Sequence, residues 1–291
     1  MKNNNPEIIK KVKKIEIKTK RLVNEVFGGE YQSIFKGQGI EFSEVRPYQY
    51  GDDSRLIDWK VSARHNTPFV KVFSETRELN ILIMFDASHS TYFSAAGNKR
   101  EIAGEIASVL TFSALKNNDK TGLILFSDGV EKFIPLKKGR KHSLNIVTQV
   151  LTFNAENPKT DIGKAIREVN HYLKRKSIVF IISDFFTDDF QHELKILSRK
   201  HDVIGIMIND DFEENIIEKG IIPVKDIETG ETFFINGKKY KLSYRENYKT
   251  HKNKIKEIFK NSGTDLIMLK SSEDYYPLLF KFFKMREKRF R

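Results

Sequence analysis

The sequence predicts an α/β protein whose mostly parallel sheet carries helices on both faces. Three observations point there. Leu79–Phe85 (LNILIMF), Ser177–Ser183 (SIVFIIS) and Val203–Ile208 (VIGIMI) are nearly unbroken apolar runs, as strands buried on both faces require. The segments between them place apolar residues at helical spacing, so strand and helix alternate along the chain. A 39% apolar fraction with 23 Phe in 291 residues supplies enough core for one such sheet and excludes wholesale disorder.

The elements follow in order. Ile8, Val12, Ile15, Leu22 and Val26 share one side of a helix whose other side is Lys, with Asn5 as N-cap, Pro6 at the first position and Gly28-Gly29 as the stop. Such a helix either packs its stripe on the parent domain, which is the expectation, or lies on a membrane surface. Residues 30–77 read as short, charged, Gly-punctuated segments with one strand at Phe69–Phe73. After Leu79–Phe85 comes a helix over Lys99–Leu115, with Ile102, Ile106, Leu110 and Ala114 four apart. Gly122–Phe126 and Val130–Leu136 form a hairpin around Ser127-Asp128-Gly129. Helices at 141–152 and 161–174 precede the second buried strand, and a helix over Phe190–Lys200 precedes the third. A hairpin over Ile222–Ile235 turning at Glu228-Thr229-Gly230, a polar helix over 243–261, an edge strand at Asp265–Leu269 and a helix from 274 complete the chain. This divides it into a basic N-terminal helix (1–29), a charged lobe (30–77) and the α/β domain (78–291).

Composition removes several classes of function. With no Cys there is no disulfide framework, zinc ribbon or thiol nucleophile. The apolar runs fall well short of the ~20 residues of a membrane-spanning helix, and charges across Lys10–Arg21 interrupt any signal peptide. A cytoplasmic protein is expected, with peripheral contact at the inner membrane as the alternative its ends allow. The formal charge of +12 sits in those ends, +6 on residues 1–21 and +5 on residues 281–291, which leaves the body nearly neutral. Lys-rich solvated tails are the expectation; anionic lipid, nucleic acid or an acidic partner are the alternatives.

In an open α/β sheet, ligands gather beyond the carboxyl ends of the strands, where strand order reverses. Asp86-Ala87-Ser88-His89-Ser90 follows the first buried strand, Asp184 follows the second, and Thr160 leads into a helix whose entry loop returns to that rim. Two carboxylates and three hydroxyls are hard oxygen donors, suited to Mg²⁺, with Mn²⁺ as second choice. The competing reading has Ser88 and Ser90 capping the next turn while Asp86 binds backbone amides.

On this strand–helix scaffold the DASHS run, Thr160 and Asp184 resemble the metal-ion-dependent adhesion site of a von Willebrand factor A domain. The resemblance implies that Asp86, Ser88, Ser90, Thr160 and Asp184 hold a divalent ion directly or through water, and that a partner's Asp or Glu completes its shell. G-x-G-x-E-F at 37–42 and R-P-Y-x-x-G-D-D-x-R-x-I-D-W-x-x-S-A-R at 46–64 resemble the signature of the bacterial "domain of unknown function 58" family, as does the Asp226–Glu231 hairpin (DIETGE). That resemblance implies a von Willebrand A-like (Rossmann-like) domain and a partnership with a MoxR-type AAA+ ATPase in assembling other complexes.

Within the signature, Glu41, Arg46, Tyr48, Asp52, Arg55, Asp58, Trp59 and Arg64 mix opposite charges with aromatic groups. They are expected to form an ion-pair network fastening the lobe to the sheet, with Trp59 as its apolar anchor, or else a docking surface. The function expected is a non-enzymatic, metal-dependent protein-binding adaptor for a client or the ATPase. The alternatives are Mg²⁺-dependent phosphoryl transfer through Asp86 and nucleic-acid or anionic-membrane binding through the ends. Phosphoryl transfer of the D-x-D kind lacks its acid–base carboxylate, because Ser88 stands at that position.

Overall fold

The computed structural model describes residues 12–17, 41–74, 78–92, 99–187, 189–210, 220–225 and 231–290. Its strands are β1 (Glu41–Pro47), β2 (Phe69–Ser74), β3 (Asn80–Asp86), β4 (Lys120–Phe126), β5 (Val130–Lys137), β6 (Ile178–Ser183), β7 (Asp202–Asn209), β8 (Ile221–Lys225), β9 (Thr232–Asn236) and β10 (Asp265–Lys270). Its helices are α1 (Trp59–His65), α2 (Lys99–Lys116), α3 (Arg140–Thr152), α4 (Ile162–Tyr172), α5 (Gln191–Lys200), α6 (Gly237–Asn261) and α7 (Tyr275–Phe290).

Six strands form the central sheet in the order β10-β7-β6-β3-β4-β5. All neighbours are parallel except β5, which returns antiparallel on β4 through the Ser127–Gly129 turn. The chain therefore runs from β3 to one side, then comes back to place β6 on the other. This reversal between β3 and β6 opens the crevice beyond their carboxyl ends. Along β3, Ile81, Ile83 and Phe85 face a core with α2, α3 and α7, while Leu82 and Met84 face a second core with α4, α5 and α6. The mixed α/β class and the helices on both faces agree with the expectation, as does the edge position of β10.

Three features depart from it or refine it. Strand β1 is unforeseen: it pairs antiparallel with β2, and a register shift between Phe42 and Glu44 breaks the alternation that would announce it. Helix α6 begins at Gly237, ahead of the expected 243. The basic C-terminal run is not wholly a solvated tail. Arg286 is 3% exposed, and it donates to both Asp202 carboxylate oxygens at 2.6 and 2.7 Å and lies 3.3 Å from Asp265. Those acids open β7 and β10, so one guanidinium fastens α7 to the amino ends of two strands. At the other end of the chain, residues 12–17 are helical, with Val12 and Ile15 in the first core and Ile17 exposed. The rest of 1–29, residues 30–40 and the turn at 226–230 lie outside the described residues.

Among the described residues no helix is long and apolar enough to cross a membrane. The start of β3 is pinned by a buried carboxylate: Asp119 accepts the Leu79 backbone N–H at 2.9 Å. Burial pushes Asp119 up to about 7, against the pull of that hydrogen bond.

Arg286→Met leaves two strand-end carboxylates without their shared cation. It is expected to lower unfolding stability by about 3 kcal/mol in urea denaturation. Asp119 holds its proton more tightly folded than unfolded, so its contribution falls as pH rises from about 4 to about 7. In melts across that range, Asp119→Asn is expected to lose most of this decline.

Candidate metal centre at the strand ends

The last residue of β3, Asp86, and the two residues around the end of β6, Ser183 and Asp184, meet because the strands pair in register up to Phe85 and Ile182. Asp86, Ser88, Ser183 and Asp184 are all buried. Asp86 Oδ1 accepts the Ser88 N–H at 2.9 Å and the Ser88 hydroxyl at 2.6 Å, and Oδ2 accepts the Ser183 hydroxyl at 2.6 Å. Ser88 Oγ lies 3.1 Å from Ser90 Oγ, and the Ser88 carbonyl receives the Thr91 hydroxyl at 2.7 Å. Asp86 does bind a backbone amide, as the capping alternative has it, but its second oxygen reaches across to the neighbouring strand.

Thr160 arrives from a different part of the chain. Asp161 caps α4 by accepting the Lys164 N–H, and its own N–H bonds Ser127 O beyond β4 at 2.9 Å. The Thr187 hydroxyl donates to Thr160 O at 3.1 Å, and His89 N–H to Pro158 O at 3.3 Å. These bonds tie the loops at His89, Ser127 and Thr187 to the one that carries Thr160. Thr160 Oγ1 is buried with no hydrogen-bond partner among the described residues. A buried hydroxyl left without a partner, on a loop tied to the one that follows Asp184, is what a hard cation's donor set leaves behind when the cation is not counted. The residues therefore fit a divalent ion. Among the described residues no group of three or more His, Asp or Glu gathers as a metal cluster, so the candidate rests on its hydroxyls.

Asp184 is held from two directions. Its Oδ1 accepts the Phe186 N–H at 3.2 Å, and its Oδ2 accepts from the Lys99 ammonium at 2.6 Å. Between them Phe185 takes a left-handed backbone, φ 59°, with its N–H on Ser183 Oγ at 2.9 Å. A bulky residue rarely adopts that conformation; here the ring is locked by Phe190 and Phe259 at 5.8 and 5.3 Å between centroids. Helix α6 covers the same loop, where His251 stacks on Phe186 at 4.4 Å. Burial pulls His251 down while Asp184 opposes this. Asp86 moves the other way: burial first, and the Asp184 charge second, push it up to about 6, against the Ser183 and Ser88 hydrogen bonds.

Sequence reasoning did not single out Lys99, Ser183 or Phe185. A signal existed for Lys99, since Lys-Arg at the start of a helix opposes the helix dipole and asks for a compensating anion. Ser183 is the polar end of an otherwise apolar strand.

The lobe residues do not join this site or form one network. Arg46 makes a bidentate pair with Asp52 at 2.7 and 2.8 Å. Arg55 pairs with Asp53 two residues away, in the open. Asp58 caps α1 through the Lys60 and Val61 N–H groups and lies 3.7 Å from Lys71 Nζ. Arg64 is exposed in the last turn of α1, Tyr48 is half-buried with its N–H on Pro68 O, and Glu41 stands opposite Ser74 in β1. Trp59 is not an apolar anchor, because it is 71% exposed. The Asp58 cap sets it at the first helical position, and the buried residue of α1 is Ser62.

Ser183→Ala removes a donor to Asp86 and an acceptor for Phe185. It is expected to cost about 1–3 kcal/mol of stability. It should also raise the Asp86 titration midpoint in metal-free protein, read by carboxyl-carbon NMR.

Residues 44–257 match the family described as "Protein of unknown function DUF58". "Uncharacterized protein Rv1480" of Mycobacterium tuberculosis (strain ATCC 25618 / H37Rv) is 24% identical over 289 residues, covering 97% of this chain and 91% of that protein. Among solved structures, conserved hypothetical protein BatB from Bacteroides thetaiotaomicron overlays 72% of this chain and 99% of its own at 15% identity and a TM-score of 0.48. Proximal thread matrix protein 1 from the mussel byssus, with zinc occupied MIDAS motif, overlays 72% of this chain and 47% of its own at 18% identity and a TM-score of 0.43.

Proposed function

The chain belongs to the DUF58 family, and on that premise we propose that it is a non-enzymatic adaptor whose strand-end site binds a partner protein through a divalent cation, with Mg²⁺ preferred over Mn²⁺. The observation that supports this reading is the meeting of Asp86 and the Ser183–Asp184 turn at the ends of the neighbouring strands β3 and β6, with the Ser88 and Ser90 hydroxyls beside Asp86 and the Thr160 hydroxyl buried and without a partner among the described residues. Those five residues would hold the ion, and when bound it supplies an open position for a carboxylate from outside.

The chain's own groups do the rest. Ser88 and Ser183 orient Asp86 through both of its oxygens, so the carboxylate is positioned before any ligand arrives. The Phe185 turn and the α6 cover keep the Asp184 side buried, which restricts a visiting carboxylate to the Ser90 side of the rim, where Ser90 is only half-buried. A partner offering an Asp or Glu side chain fits that opening. A MoxR-type AAA+ ATPase, or a client delivered to one, is the partner the family resemblance implies. Phosphoryl transfer is disfavoured because Ser88, where a second carboxylate would serve as acid–base group, spends its hydroxyl on Asp86. Binding through the basic C-terminal run loses a charge to structure, because Arg286 is committed to Asp202 and Asp265.

The test is retention of a purified MoxR-type ATPase on the immobilised full chain. Retention is expected in Mg²⁺, with loss in EDTA or with Asp86→Ala. Retention under all three conditions would move the contact to the lobe around α1 and reject the metal-dependent reading.

A further inference from the structure

The strand-end site already contains a cation. Lys99 is the first residue of α2, and 2% of its side chain is exposed. Its ammonium lies 2.6 Å from Asp184 Oδ2, on a carboxylate that is fully buried, and 3.5 Å from the Ser90 carbonyl oxygen. Two of the five residues assigned to the metal therefore flank this one ammonium. Burying a lysine is costly, and setting it at a helix N-terminus, where the dipole favours anions, adds to the cost. The other buried residues of α2, from Ala103 to Ala114, are apolar or small, so Lys99 is the buried cation of that helix among the described residues. What holds the ammonium in this position is the Asp184 carboxylate, with the Ser90 carbonyl oxygen as a longer second contact.

We propose that Lys99 is the resident counter-ion of the site, that it holds Asp184 when no metal is bound, and that a divalent ion enters only by displacing the ammonium from Asp184. This rests on the adhesion-site reading and deepens it. With Lys99 in place the two carboxylates carry one net negative charge instead of two. A divalent ion added beside the ammonium would make the buried cluster positive, and at such short range the two cations repel strongly. Occupancy is therefore a choice between them. Because the ammonium also reaches the Ser90 carbonyl oxygen, its displacement from Asp184 releases a contact to the DASHS loop. Metal entry is thereby coupled to the shape of the rim that meets the partner.

The experiment compares Mn²⁺ binding, by calorimetry, to the full chain, Lys99→Met and Asp86→Ala. Lys99→Met keeps the length of the side chain and removes its charge. It is expected to bind Mn²⁺ at least about tenfold more tightly than the unaltered chain. Binding by Lys99→Met alone would be the extreme form of the same result. Equal or weaker binding by Lys99→Met, with binding still lost in Asp86→Ala, overturns the proposal and leaves the adhesion site standing. Absence of binding in both the unaltered chain and Lys99→Met overturns the adhesion reading and this inference with it. If Lys99→Met does not fold, reductive methylation of the unaltered chain decides the matter. Lys99 should resist modification in EDTA and react severalfold faster in saturating Mn²⁺, with exposed Lys60 as internal reference. A Lys99 rate that Mn²⁺ leaves unchanged overturns the proposal.

Discussion

Two carboxylates buried at the ends of adjacent parallel strands are the constraint on which the rest of this structure turns. Asp86 and Asp184 lie where the strand order reverses, out of reach of bulk water, and burial together with the Asp184 charge raises the cost of charging Asp86. Every unusual feature nearby answers that cost. Ser88 and Ser183 donate to Asp86, the Phe186 amide and the Lys99 ammonium donate to Asp184, and Phe185 accepts a left-handed backbone so that the amides point inward. Strain and a buried lysine at a helix start would be defects elsewhere. Around two desolvated anions they form one polar cluster that is nearly, but not fully, satisfied.

The scaffold earns its rigidity from ordinary packing. Apolar side chains alternate across β3 and fill two separate cores, so the register that brings Ser183 to Asp86 is set by burial over the whole length of β3 and β6. Helix α6 adds a second restraint: Phe259 packs against β7 at Gly205, where a Cβ would fall 2.4 Å from the ring, and nearer the amino end of the helix His251 closes on Phe186. The same helix therefore reads the sheet surface at one point and covers the β6 loop at another. The lobe around β1, β2 and α1 is organised differently, by short-range caps and ion pairs in or near solvent, and such contacts stabilise little individually.

Much of this was legible in the residues. Continuous apolar runs mark strands buried on both faces, because a run that long has no solvent-facing side to keep polar. Asp86, Ser88, Ser90 and Asp184 are readable as rim residues because they follow those runs directly, and Thr160 because its loop leads into a helix that starts from the same rim. The pairing of β1 with β2 was hidden because the shift at Phe42–Glu44 destroys the period of two that marks a half-buried strand. Trp59 looked like an anchor because a lone Trp usually is one, yet a cap at Asp58 overrides side-chain size in deciding which way the first helical residue faces.

The sequence alone determined the α/β class, the order of its elements and the hard-oxygen character of the strand-end residues, since periodicity and donor chemistry are local properties. Only the tertiary structure decided that the Thr160 hydroxyl is buried without a partner among the described residues, that Ser183 from the neighbouring strand joins Ser88 in supporting Asp86, and that Lys99 sits against Asp184, 85 residues away in the chain. Contacts across such separations depend on strand register and loop closure, which no local pattern encodes. The charge balance of a buried site is the sum over whichever groups the fold brings within reach.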